Sequence, residues 1–350
     1  MHMADALISP AVGGTMWLAV TGLVAHSARK LKGDTNDRKV PLMGVMGAFI
    51  FAAQMINFTI PFTGSSGHLA GGMILAVLLG PYAAFLTLAS ILTVQALFFA
   101  DGGLLALGCN IFNMGFFPCF IAYPFIYRRI VRTEPTRGQI LTGAMVSAIL
   151  SLQAGALGVV LETVASRISE LPFTSFLLLM QPIHLAIGIV EGIVTAAVIT
   201  FVWKARPEIM QTEGISKGSN APPIRKVLAG FLVVAAMIAG MLSWFASSHP
   251  DGLEWSVFHT SGKEALKAPE DGLHAIFTAI QEKTAFLPDY GFKSTEETPA
   301  ADREAPGKSA KSEQWPAVKA ETSVSGLIGG TITLFLACLI GLGLRKIRRR

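Results

Sequence analysis

Nine apolar runs, most of them close to or above the length that crosses a bilayer, leave this 350-residue chain few folds to choose from. They lie at about 11–28, 41–58, 69–79, 82–99, 104–127, 139–165, 177–203, 227–246 and 325–344. About 20 apolar residues wound as helix span the hydrocarbon core, and a helix satisfies its own backbone donors and acceptors there. Charged residues make up only 15% of the chain, against roughly 25% in an average soluble domain, too few to cover a soluble protein of this size. The expected fold is an all-α membrane protein, a polytopic helical bundle of about nine transmembrane helices in the cell (inner) membrane, in contact with lipid. The 69–79 run is short and stops at Gly80-Pro81, so it reads as a short span or the first half of a broken one.

Basic residues orient the bundle. They gather at Arg29–Lys39, Arg128–Arg137, Lys204–Lys226 and Arg345–Arg350, while the short loops between carry almost none beyond Arg167. Cytoplasmic loops are the ones enriched in Lys and Arg. Nine spans put all four clusters inside, with the N-terminus outside and the C-terminus inside. If 69–99 were one helix, the 128–137 cluster would change side. The net charge of +5 is thus a topology signal, and no nucleic-acid partner is expected. Met1–Asp5 has no Lys or Arg, and the positive flank follows the first apolar run, the pattern of an uncleaved helix with its N-terminus outside.

A polar linker at 206–224, ending in Asn220-Ala221-Pro222-Pro223, divides the chain. Residues 1–205 form a seven-helix unit. Residues 225–350 form a two-helix unit with an external segment at about 247–323. That segment holds Pro250-Asp251-Gly252-Leu253-Glu254, read as a turn and short helix, and from about 293 a Lys-, Glu-, Ser-, Thr- and Pro-rich stretch expected to be a disordered tether. Cys109, Cys119 and Cys338 each sit in an apolar run without a CxxC spacing, so neither a disulfide framework nor a Cys zinc site is expected.

There is no Walker A or HExxH pattern, so the chain is expected to be no enzyme, to hydrolyse no ATP itself and to carry no resident cofactor. Polar residues with ligand chemistry gather instead at the outer ends of the runs. A bulky residue at position 2 normally blocks removal of the initiator Met, so the amine belongs to Met1. That amine, the backbone nitrogen of His2 and His2 Nδ1 can bind one metal through five- and six-membered chelate rings, with a fourth position open. Planar nitrogen donors favour Ni(II) or Cu(II). Against this stands the plain alternative that His2 is an accident of the start. His68, in the glycine-rich run Gly64–Gly72, is a plausible fourth ligand or a helix-start histidine facing headgroups. Asn110 and Asn113 share a helical face and either orient imidazoles or bond between helices. His184 and Glu191, seven apart, share another face and serve either function or helix pairing. Glu162 is given no role. The external segment offers only His249, Asp251 and Glu254 as close potential ligands, so it is expected to act in assembly or gating rather than in high-affinity metal binding.

Taken together, Met1-His2, Ser66-Gly67-His68-Leu69-x-Gly71-Gly72, Gln95–Gly103, Asn110-x-Phe112-Asn113-Met114-Gly115 and His184-x-x-Ile187-Gly188-x-x-Glu191-Gly192 strongly resemble the CbiM/NikM family. These are the substrate-capturing components of energy-coupling-factor (ECF) transporters for cobalt and nickel. Residues 225–345 look like a fused PDGLE-type N component, and Pro288-Asp289-Tyr290 fits that type, so the whole resembles a NikMN-like fusion. The resemblance implies a metal site of Met1, His2 and His68, with Asn110, Asn113, His184 and Glu191 around it. Its ligand is transported Ni2+ or Co2+. It implies a transmembrane coupling protein (CbiQ/NikQ-like) and ATPase subunits (CbiO/NikO-like) as partners. Met3 stands where many relatives have Ile, which leaves its contact with the metal open. The competing expectations are a stand-alone divalent-metal channel or proton-coupled secondary transporter, with His184 and Glu191 as a relay, and a metal sensor signalling through residues 247–323.

Overall fold

The computed structural model describes residues 1–34, 39–132, 135–206, 223–263, 266–293 and 316–348. Most of the linker at 206–224 and of the expected tether at 293–323 lies outside them. The chain folds into α1 (Pro10–Asp34), α2 (Lys39–Gln54), a small antiparallel ribbon of β1 (Phe58–Ile60) and β2 (Ser65–Gly67), α3 (Gly72–Leu79), α4 (Pro81–Phe99), α5 (Leu107–Ile130), α6 (Arg137–Ser166), α7 (Phe173–Ala205), α8 (Ile224–Gly240), α9 (Gly252–Ser261), α10 (Gly272–Thr284) and α11 (Ala320–Arg348). The molecule is an integral membrane protein, mostly helical, with very little strand.

Among the described residues, six helices are long and apolar enough to cross a membrane: α1, α4, α5, α6, α7 and α11. The other three apolar runs form shorter helices of 16, 8 and 17 residues, α2, α3 and α8. Their ends have local causes. The run at 41–58 leaves the helix at Gln54, and Phe58 enters β1. Gly80, at φ +80°, breaks α3 from α4, and Pro81 starts α4 where a missing amide costs nothing. α6 opens on a capping box, with Thr136 and Gln139 each satisfying the other's amide.

The centre of the bundle is α3 and α4: α3 is wholly buried and α4 is 78% buried, against 17% for α1 at the edge. α3, about 12 Å long, runs from the His68 loop to Gly80. α4 then returns from Tyr82, whose ring lies 5.7 Å from that of His26 on α1, to Asp101 at the level of His2. α6 and α7 form a hairpin beside them, and α8 and α11 of the second unit pack on α2. A Cβ on Gly44 of α2 would collide with Cys338 and crowd the backbone of Leu334 on α11, which is how two helices come together without a hydrophobic drive from water. All three cysteines are free.

Beyond α8, the segment expected to be external is more ordered than a turn and one short helix. α9 and α10 lie over the mouth of the first unit. Gln281 donates to the carbonyls of Ala96 and Gly102, both at 2.8 Å, His274 Nε2 bonds the carbonyl of Ile8 at 2.9 Å, and the Tyr290 ring stacks on Phe99.

Candidate metal centre

The first eight residues thread into the bundle. Met1, Met3, Leu7 and Ile8 are buried, as is the carboxylate of Asp5. A buried segment, extended but for one 3-10 turn at Asp5–Leu7, needs partners for its backbone, and the start of α5 and the loop before it supply them. Asn110 clamps Met3, accepting from its amide at 2.8 Å and donating to its carbonyl at 3.2 Å. The Gly103 amide donates to the same carbonyl at 2.9 Å, and Asp5 accepts from the Ala106 amide at 2.9 Å. The glycines of Asp101-Gly102-Gly103 follow from this threading. Gly102 sits at φ +83°, and a Cβ on Gly103 would fall on the Asp5 carboxylate.

Threading brings Met1, His2 and His68 together. The Met1 nitrogen lies 3.4 Å from His68 Nε2, and the His2 and His68 rings stack with centroids 5.0 Å apart. His68 Nδ1 bonds the carbonyl of Leu69 at 3.1 Å. A carbonyl only accepts, so Nδ1 carries the proton and Nε2 keeps its lone pair toward the amine. The same logic reaches His2 through a longer chain. The Ala70 carbonyl accepts from Gln54 Nε2 at 2.9 Å, Gln54 Oε1 accepts from Gln95 Nε2 at 2.9 Å, and Gln95 Oε1 lies 3.2 Å from His2 Nε2. With the proton on Nε2, donated to Gln95, Nδ1, the nitrogen a chelate with the amine requires, keeps its lone pair. Asp101 Oδ1 lies 3.3 Å from that Nδ1, so positive charge placed there meets a carboxylate.

The residues expected around the metal occupy distinct posts. Asn110 and Asn113 touch no imidazole: Asn110 holds the backbone of Met3, and Asn113 donates to Glu162 at 2.6 Å and faces Met3 Sδ at 4.0 Å. Glu191 accepts from the amides of Ala70 and Gly71, at 2.7 and 3.1 Å, anchoring the His68 loop at the start of α3. His184 Nδ1 donates to the Met180 carbonyl at 2.8 Å, and its buried Nε2 has no hydrogen-bond partner among the described residues. His184 shares with Met1, His68 and Asp251 a cavity of ≈ 10 Å³, about the room one water needs. Gln54 is not singled out by the sequence, Gln95 enters only through its motif, and Asp251 only as a potential ligand in the external segment. They complete the surroundings.

Electrostatics favour ligand-ready rings. Burial, then the Met1 ammonium and the His2 ring, lower His68 to about 3, and burial lowers His2 although Asp101 opposes it. Burial would raise Asp251, but the ammonium and His68 outweigh it and hold the carboxylate below its usual range. Glu254 is raised to about 7 by burial and by the charge of Asp251. Beside the centre lies a cleft of ≈ 630 Å³ lined by His2, Asp101, Asp251, Glu254 and Asp289. Among the described residues no group of three His, Cys, Asp or Glu side chains is placed to hold a metal ion.

The model of one family, the cobalt uptake substrate-specific transmembrane region CbiM, matches residues 2–209. The chain belongs to the CbiM family. A second model, the PDGLE domain, matches residues 225–346. CbiM-family relatives include the putative fused nickel transport protein NikMN of Archaeoglobus fulgidus, 34% identical over 68% of this chain and 74% of the relative. The fused nickel transport protein NikMN of Rhodobacter capsulatus is 30% identical over 83% of this chain and 88% of its own length. The cobalt transport protein CbiM of Geobacter sulfurreducens is 28% identical over 78% and 81%. A crystal structure of a truncated transition metal transporter, 30% identical, superposes with a TM-score of 0.52 over 58% of this chain and 99% of that one. The CbiM match spans the helices that hold Met3, His68 and Asn110, and the PDGLE match contains Asp251.

Proposed function

We propose that this chain is the metal-capturing membrane component of an ECF-type ABC transporter that imports nickel and/or cobalt, energised by separate ATPase subunits through a transmembrane coupling protein. The observation that carries the reading is the meeting of the Met1 amine, the His2 ring and His68 Nε2, with the His68 tautomer set by the Leu69 carbonyl behind it. The amine, the His2 amide nitrogen, His2 Nδ1 and His68 Nε2 supply four nitrogens, a set that suits Ni(II), with Co(II) next. Carboxylates around the 630 Å³ cleft draw the cation toward them. Asn110 and the glycines at 102–103 hold the chelating backbone, and Glu191 holds the His68 loop.

The polypeptide crosses the inner membrane nine times, with its N-terminus extracytoplasmic and its C-terminus inside. α3 is too short to cross alone, and the ribbon and the 64–71 loop complete that passage from the outer side. The return of α4 from the His26 end of α1 to Asp101 supports counting α3 and α4 as separate passages.

The deciding experiment alters backbone position and leaves every side chain in place. One residue added before Met1, or Ala inserted between Met1 and His2, moves the amine relative to His2 Nδ1. Calorimetric titration with Ni(II) should then show losses as large as that of His68→Ala, beyond the roughly 10–100-fold typical of groups behind the ligands. Near-normal affinity in the N-extended protein would overturn the chelate.

A further inference from the structure

One charged group at the centre comes from the other half of the chain. Asp251 Oδ1 accepts from the amides of Leu253 and Glu254, both at 2.8 Å, and so caps α9. The carboxylate is thereby fixed in orientation, and Oδ2 is left facing the Met1 nitrogen at 3.3 Å. The peptide around it is pinned to the strand that leads into His68. The Ser66 amide donates to the Pro250 carbonyl at 2.8 Å, and the Ser66 hydroxyl to the His249 carbonyl at 2.7 Å. Gly252 lies so close to Ile183 on α7 that a Cβ would collide. Asp251 is seated here from three directions.

The spacing says what it is suited to do. A tight bond between an ammonium and a carboxylate is about 2.7–2.9 Å long. The Met1 nitrogen stands 3.3 Å from Asp251 Oδ2 and 3.4 Å from His68 Nε2, longer than that in both cases. Two donors bound at about 2.0–2.1 Å to one ion, at angles near those of square or tetrahedral coordination, lie about 2.9–3.4 Å apart. The amine is therefore spaced from both neighbours as ligands of one small cation are, and all three residues line the same cavity.

We propose that Asp251 donates Oδ2 to the captured Ni(II) or Co(II) ion, so that the PDGLE unit supplies an oxygen to a site otherwise built of nitrogens. The proposal rests on the N-terminal chelate. A carboxylate added to four nitrogens takes the ion out of planar coordination and brings Co(II) closer to Ni(II) in preference. It also gives the expected assembly or gating role of the external segment a physical vehicle, because the ion is fully held only while α9 is seated against α7.

The test uses the full chain in detergent. Asp251→Asn and Asp251→Ser keep a residue able to cap α9 but remove the anionic donor; His68→Ala is measured beside them. The readouts are Ni(II) affinity by calorimetry and the donor set by X-ray absorption of the bound ion. Both Asp251 variants should bind about tenfold or more weakly, and the bound ion should change from five-coordinate with one oxygen to planar with nitrogen donors alone. If they bind like the unaltered chain with an unchanged spectrum while His68→Ala loses binding, Asp251 is no donor and the chelate stands. If His68→Ala binds normally, the chelate itself falls, and this proposal with it.

Discussion

Gln95 is the residue whose removal should tell most about how a soft side chain becomes a ligand. Its oxygen faces His2 Nε2 only because its nitrogen is committed to Gln54, which is committed to the Ala70 carbonyl. Gln95→Leu frees His2 to place its proton on Nδ1, and Ni(II) affinity by calorimetry should fall about 10–100-fold with the helices intact. Nitrogen shifts of His2 in the labelled protein should show the tautomer change. A second expectation concerns pH. A histidine whose pKa is lowered on burial stays neutral as pH falls through its ordinary value, so His68, lowered to about 3, should show no titration by NMR between pH 7 and 5. Calorimetry in buffers of different ionisation enthalpy should then find no proton from His68 among those released on metal binding at pH 6. The histidines and the glycine motifs were legible in the sequence because spacing and residue type announce them. Gln54 and the place of Asp251 beside Met1 were not, because their partners lie 41 and 250 positions away, and no periodicity connects such positions.

At the scale of elements, the PDGLE segment shows how much a short motif can be asked to do. The Pro250 carbonyl receives Ser66, Asp251 caps α9 and faces the amine, Gly252 fits against Ile183, Leu253 is buried, and Glu254 closes the capping box. The sequence indicated a turn and short helix here, and the helix is present, but which surface it meets follows from tertiary packing alone. The apolar runs were legible for the same reason that they are helical: lipid leaves no other way to satisfy a backbone. Their ends were less so. The run at 41–58 leaves helix at Gln54, passes through a turn, and only Phe58 enters the ribbon that carries Ser66 to the Pro250 carbonyl. Gly103→Ala tests the element that matters most to the centre. Its Cβ occupies the place of the Asp5 carboxylate, so the N-terminal segment must withdraw. The variant should insert into membranes normally, lose Ni(II) binding, and expose the Met1–Ile8 segment to added protease.

For the whole molecule, the nine-crossing arrangement predicts that reporters fused after residues 35, 133, 215 and 350 all report the cytoplasmic side. An external report at 133 would mean that α3 and α4 make one passage between them. The two family units are also interleaved, since Asp251, His274, Gln281 and Tyr290 of the second all bond to residues 1–102 of the first. That interleaving has a consequence in time. Residues 1–8 leave the ribosome first, yet the groups that close over them, at 251–290, are made after eight of the nine proposed crossings have already emerged. The oldest part of the polypeptide is among the last to be locked, and folding waits on contacts of very long sequence separation. Nascent chains arrested before residue 250 should therefore leave the Met1 amine open to an amine-reactive dye, and chains released after residue 350 should shield it.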